Sequence, residues 1–151
     1  MKKIQSFTVN HDLLLPGLYI SRKDGDATTF DLRTRKPNAG DYMDNLTMHS
    51  VEHLFATFVR SGPHADSILY FGPMGCQTGF YLITRDLSPE EVKEEIFRVL
   101  EEICAYTGEM PGNKRIECGN YQNLSLEKGK EECKKYLAIL KESEITFTYE
   151  V

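Results

Sequence analysis

The sequence predicts an α+β fold, a mostly antiparallel sheet with helices packed on one face. Three observations carry that expectation. Extended segments come as adjacent pairs joined by short turns, not singly between helices. Three other segments carry helix start and stop signals around an apolar stripe. A length of 151 residues is enough for one core, so the chain reads as a single domain over 1–151.

The elements follow in order. Residues 3–9 alternate, with Ile4, Phe7 and Val9 among polar neighbours, and read as a first strand. Asn10-His11-Asp12 is a polar break. A strand begins after Pro16-Gly17 and runs to Lys23, Asp24-Gly25-Asp26 is a hairpin turn, and residues 27–34 return. Phe30 and Leu32 face one way, Asp31 and Arg33 the other. Residues 35–45 form a loop, and Thr47 caps a helix over 48–60 that Gly62-Pro63 ends. Residues 67–71 and 80–85 are strands around the constrained loop 72–79. Ser88-Pro89-Glu90-Glu91 is a capping box with proline at the first helical position. That helix runs to about Thr107, with Val92, Ile96, Val99, Leu100 and Ile103 inward, and Gly108 stops it. Residues 109–114 are a loop and 115–119 are short and extended. A third helix runs from Ser125 to about Glu142 with Leu126, Cys133, Tyr136, Leu137 and Leu140 inward, and 144–151 read as a last strand.

A net charge of −5 argues against nucleic acid or an anionic membrane as the main partner. There is no long apolar run and no signal-peptide pattern, so the expected compartment is the cytoplasm. The four cysteines match no disulfide framework and form no C-x-x-C pair.

The chemistry gathers on the helix 48–60. His49 and His53 are four residues apart, which puts both imidazoles on one face, one turn apart, able to grip a single metal ion. Glu52 lies beside the pair without needing to be a ligand, so it is free to move protons. The plainer reading is a buried helix with two hydrogen-bonded histidines; a third ligand elsewhere favours the metal. Cys118 is one candidate, in a glycine-bearing segment where the backbone can approach closely. Cys76, in a loop with three glycines, is the other, either as a ligand or as a reactive thiol, and spacing does not decide between them. Two histidines and one cysteine leave a fourth position open for water or a substrate oxygen. Cys104 and Cys133 read as buried structural thiols. On residue type alone, His64 faces solvent, His11 has no assigned role, and Arg33 is a solvated arginine on the charged face of its strand.

Taken together, these pieces resemble the S-ribosylhomocysteine lyases, the autoinducer-2 production enzymes. The resemblance spans nearly the whole chain. It rests on Ser6-Phe7, His11, Phe30-Asp31-Leu32-Arg33 with Pro37-Asn38, His49-Ser50-Val51-Glu52-His53-Leu54, Pro73-Met74-Gly75-Cys76-Gln77-Thr78-Gly79-Phe80-Tyr81, and Cys118-Gly119-Asn120-Tyr121. It implies His49, His53 and Cys118 as metal ligands, Cys76 and Glu52 as acid/base groups, and Ser6, His11 and Arg33 as substrate contacts. It also implies one divalent metal per subunit, ferrous iron with zinc or cobalt able to substitute, and a homodimer with active sites at the interface. The implied roles are homocysteine recycling and quorum-sensing signal synthesis. Two departures stand out. Tyr70-Phe71-Gly72 replaces an Asp-Ile-Ser approach to the cysteine loop, and Asn123 replaces a histidine before the last helix.

Two rival readings remain. H-x-x-E-H is also the inverted zinc-peptidase motif, but such enzymes are usually longer and take a carboxylate third ligand. A structural-metal or signal-binding domain that keeps the fold without turnover is the non-enzyme alternative.

Overall fold

The computed structural model describes residues 1–149. A four-stranded antiparallel sheet runs in the order β1 (Gly17–Asp24), β2 (Ala27–Arg33), β4 (Gly79–Arg85), β3 (Ile68–Pro73). The turn between β1 and β2 needs a positive φ, and Gly25 supplies it at 60°. Period-two alternation sends Phe30, Leu32, Phe80 and Leu82 to one face, where they join the core. Three helices bring the other half of that core: α1 (Asn45–Arg60), α2 (Pro89–Ala105) and α3 (Leu126–Glu142).

Helix α1 is the central one, packed against α2, α3 and β3. Its stripe of Val51, Leu54, Phe55 and Val59 is buried, and Phe55 stacks on Phe71 of β3 at 4.3 Å. Each fully buried side chain of this kind contributes about 2 kcal/mol, which outweighs any propensity penalty for valine or phenylalanine in a helix. Helix α2 starts with the expected capping box, and all five expected stripe residues are buried. In α3, Cys133, Tyr136, Leu137 and Leu140 are buried, and Leu126 is half-buried. The Tyr136 hydroxyl donates to the Gly17 carbonyl at 2.7 Å, tying α3 to β1.

Several expectations need correction. Residues 3–9 form no strand; Gln5–Phe7 is a 3-10 turn, and Ile4 and Phe7 are exposed. Alternation alone cannot make a strand where no neighbour offers hydrogen bonds or an apolar face. The cap of α1 is Asp44, whose Oδ1 accepts from the Thr47 N–H at 2.8 Å, so Thr47 lies inside the helix. Residues 115–119 are turned, with the N–H groups of Glu117 and Cys118 both donating to the Lys114 carbonyl. Within 144–149 the extended run is broken at Phe147 (φ 64°), which makes one bridge with Tyr19; residues 150–151 lie outside the described range. Cys104 is only half-buried, and His64 is half-buried. Arg33 is not solvated: it is 4% exposed.

Candidate active site

The helical period sets the first part of the site. His49 and His53 leave the same side of α1 with ring centres 4.6 Å apart. Each ring is then oriented by a backbone carbonyl from outside the helix. His49 Nδ1 donates to the Asn123 carbonyl and His53 Nδ1 to the Pro111 carbonyl, both at 2.8 Å. With the proton held on Nδ1, each Nε2 presents a lone pair, the arrangement by which metal-binding histidines are fixed. The loop 111–123 that supplies both carbonyls also brings Cys118. Its Sγ lies 3.4 Å from His49 Nε2 and accepts from the Asn120 N–H at 3.4 Å.

The donor atoms of His49, His53 and Cys118 all lie within 4.8 Å of one another. A tetrahedral metal with bonds of ~2.3 Å to sulfur and ~2.0 Å to nitrogen separates the two by about 3.5 Å, close to the spacing seen here. All three residues are half-buried, so a fourth ligand can enter from solvent. Residue set and geometry therefore fit a divalent metal held by two nitrogens and one thiolate, with one position left open. The alternative in which Cys76 joins the histidines is not what the chain assembles. Glu52 is half-buried on α1 and makes no hydrogen bond or ion pair among the described residues.

The second part is the cysteine loop. A turn at Met74–Gly79 is closed by the Met74 N–H on the Gly79 carbonyl and the Gln77 N–H on the Met74 carbonyl. Gln77 then clasps Met43: its backbone carbonyl accepts from the Met43 N–H, and its Nε2 donates to the Met43 carbonyl at 2.8 Å. Met43 precedes the α1 cap, so the loop is fastened to the helix that carries the histidines. Cys76 is exposed at the tip. It lines a cavity of ≈ 240 Å³ with His11, Pro37, Asn38, Tyr42 and Thr78.

Beneath Cys76 lies Arg33. The pairing of β2 with β4 sets Arg33 opposite Gly79, where a Cβ would stand 2.7 Å from the Leu32 carbonyl oxygen; glycine permits that close approach. Arg33 Nη1 donates to Thr78 Oγ1 at 2.8 Å and stands 3.8 Å from Cys76 Sγ, while Nη2 donates to Asp31 Oδ2 at 2.7 Å. Burial pulls the guanidinium pKa down, but the Asp31 charge and hydrogen bond, with Cys76, more than offset it, and the net shift is upward.

The structure thus brings His11 together with Cys76 and places Arg33 under the same loop. Ser6 lines a different depression with Ser21, Arg22 and Tyr81. A larger cavity of ≈ 560 Å³ opens beside Cys104, Lys130 and Lys134, but it holds none of the motif residues. The sequence places Asp31 and Thr78 within motifs but gives no role to the residues that orient the site, Asp31, Thr78, Pro111 and Gly112, and marks Asn123 only as a departure. Gly112 carried a readable signal. It has φ 68°, and a Cβ there would come within 2.7 Å of His53 Nδ1.

Two orienting carbonyls, a His-His-Cys cluster and an exposed cysteine over a buried arginine are the parts of a metal-dependent enzyme. Residues 4–146 match the family model described as S-Ribosylhomocysteinase (LuxS). Similar curated proteins named S-ribosylhomocysteine lyase come from Finegoldia magna (45% identical over 145 residues, 93% of this chain and 92% of the relative). Others come from Clostridium acetobutylicum (44% over 146 residues, 93% and 92%) and Borreliella afzelii (42% over 146 residues, 93% of each). The chain belongs to the S-ribosylhomocysteinase (LuxS) family.

Proposed function

We propose that this protein cleaves S-ribosylhomocysteine to homocysteine and 4,5-dihydroxy-2,3-pentanedione. The observation that carries the reading is the clustering of three donor atoms within 4.8 Å, in a chain matched to this family from residue 4 to 146.

The substrate is a ribose bearing homocysteine through a thioether at its fifth carbon. That bond breaks by elimination only when a carbonyl stands at the third carbon, so that the proton on the fourth is acidic. The sugar must open, and its carbonyl must move from the first carbon to the second and then to the third. Each move takes a proton from a carbon beside the carbonyl and returns one to the former carbonyl carbon. The final proton loss at the fourth carbon expels homocysteine thiolate, which picks up a proton. The sequence is an isomerisation followed by elimination, so it needs no oxidant.

His49, His53 and Cys118 would hold one divalent metal, which supplies a Lewis acid for the charge that develops on a carbonyl oxygen. The mixed nitrogen–thiolate set suits ferrous iron, the metal we assign in the cell, and zinc or cobalt can replace it. Cys76, as a thiolate, takes and returns protons on carbon; its exposure at a cavity mouth supports that role. Glu52 serves the later transfers or the hydroxyl protons, and with no partner among the described residues its carboxylate is available. Ser6 and His11 contact substrate. Arg33, being buried, contributes its charge beneath Cys76 and the bound sugar more than an open fork.

The working form is a homodimer with the sites at the interface. Exposed Ile4, Phe7, Leu13 and Leu15 on the N-terminal segment support this, because apolar side chains there call for cover and would carry Ser6 toward a second copy. No described helix is long and apolar enough to cross a membrane. A cytoplasmic enzyme that recycles homocysteine and releases a signal precursor completes the proposal.

The test is anaerobic loading with ferrous iron, addition of S-ribosylhomocysteine and titration of new free thiol. One thiol released per substrate consumed is expected. No release from metal-loaded protein would overturn the reading.

A further inference from the structure

Asp31 and Arg33 are two residues apart on β2 and leave the sheet on the face turned away from the helices. Such a face is commonly wet, yet Asp31 is 0% and Arg33 4% exposed. The loop of Cys76 and Thr78 lies over Arg33, and the C-terminal segment reaches Asp31, whose strand partners are Tyr19 and Tyr81. Tyr149 stacks on Tyr19 with ring centres 4.9 Å apart, and its hydroxyl donates to Asp31 Oδ2 at 2.8 Å. A continuous chain of contacts results: Tyr149 hydroxyl, Asp31 carboxylate, Arg33 guanidinium, then Thr78 and Cys76.

The Asp31–Arg33 contact is not a two-point fork. Asp31 Oδ1 and Arg33 Nε find no hydrogen-bond partner among the described residues. A single N–H···O contact leaves a guanidinium free to pivot, so the direction of Nη1 depends on what fixes the carboxylate and what receives the other end. Tyr149 fixes the carboxylate. Thr78 Oγ1 receives Nη1 at 2.8 Å and sits 3.0 Å from Cys76 Sγ.

We propose that Asp31 and Tyr149 are positioning residues for the lyase reaction, anchoring Arg33 so that its Nη1 stays against Thr78 and Cys76. Neither touches Cys76; both act through Arg33. The inference rests on the reading of Cys76 as the group that moves protons on carbon. Other ionisable side chains face the network: Tyr81 from β4, Tyr136 from α3, Tyr19 and Arg22 from β1, and, in the cavity at Cys76, His11 and Tyr42. Burial first and the Asp31 charge second push the Tyr81, Tyr136 and Tyr149 hydroxyls up, so they remain neutral near pH 7 and Tyr149 remains a donor.

The test exploits two opposing electrostatic effects. Removing the Asp31 charge by itself makes a Cys76 thiolate easier to form, because a nearby anion is gone. Releasing Arg33 makes it harder, because a nearby cation is gone. The readout is the pH profile of iodoacetamide alkylation at Cys76, followed on the Cys76 peptide by mass spectrometry in metal-loaded full-length protein. Positioning predicts that Asp31→Asn raises the midpoint by about half a pH unit or more, and that Tyr149→Phe raises it less. A lowered or unmoved midpoint in Asp31→Asn overturns the proposal. An unmoved midpoint in Tyr149→Phe overturns the part of Tyr149, and this milder variant carries the test alone if Asp31→Asn does not fold. Alkylation needs no turnover, so the two readings fail separately. An inactive wild type refutes the lyase assignment, and an active wild type with unmoved variant midpoints refutes the positioning.

Discussion

The two halves of the site are built in opposite ways. At the metal cluster, the backbone does the orienting: carbonyls of Pro111 and Asn123 hold the imidazoles, and a turn places Cys118. At Cys76, the backbone closes the loop, but what stands beneath the exposed thiol is a line of side chains: a carboxylate, a guanidinium and a hydroxyl. Backbone carbonyls survive most substitutions, whereas a chain of side chains can be broken at any link. The metal half is therefore expected to tolerate changes around it and to fail only when a ligand is lost or the backbone is pushed. The cysteine half is expected to be graded.

The largest effect should come from the ligands. His49→Ala or Cys118→Ala is expected to lose bound metal by elemental analysis and thiol release with it. Metal retained at the wild-type ratio in either variant would break the assignment. Next, Cys76→Ala and Glu52→Gln are expected to keep metal but lose about 100- to 10,000-fold in turnover. Near-normal turnover in either would remove that residue from the mechanism. Gly112→Ala sharpens the comparison, because it presses the backbone half directly. Its Cβ would meet His53 Nδ1 at 2.7 Å, at a φ of 68°. Metal affinity is expected to fall about 10- to 100-fold with the ligands untouched, which competition with a chelator would measure.

Smaller effects concern stability. Glu132 is 4% exposed on α3 and receives both Nε and Nη2 of Arg35, two residues past the end of β2. Glu132→Ala leaves Arg35 with Asp41 as its remaining partner and is expected to cost about 2 kcal/mol in urea unfolding. Asp44→Ala, which removes the α1 cap, is expected to cost about 1 kcal/mol at neutral pH. Hydrogen bonds from Thr47, side chain and backbone, hold the Asp44 pKa below its ordinary value. Its contribution is thus present above the unfolded pKa and lost as pH falls through the lower folded one. The difference between wild type and Asp44→Ala should shrink in acid, and a constant difference would mean the cap acts without its charge.

The same contrast explains what was legible in the sequence. A pair of histidines one helical turn apart shows in the spacing itself, and so does the capping box at Ser88-Pro89-Glu90-Glu91. Family resemblance then selected Cys118 over Cys76, a choice that spacing alone had left open. On residue type Arg33 reads as solvated because strand alternation tells which face a residue takes, not whether another segment covers that face. The face is covered at Arg33 by the loop of Cys76 and Thr78, and at Asp31 by Tyr149, more than a hundred residues further along the chain. The first and last strands were overread for a related reason. Alternation at 3–9 and 144–151 satisfies the pattern, but pairing depends on a neighbour and on φ at positions such as Phe147, which a residue list does not show. The orienting carbonyls of Pro111 and Asn123 carry no side-chain signature at all.

The most direct test joins the two halves in one sample. Cobalt-loaded Cys76→Ala, mixed anaerobically with S-ribosylhomocysteine, should show a shift in its visible cobalt band, because substrate still reaches the open position between His49, His53 and Cys118. It should release almost no homocysteine thiol. An unresponsive band would mean a closed structural metal site, and thiol release at the wild-type rate would mean that Cys76 does not move the protons.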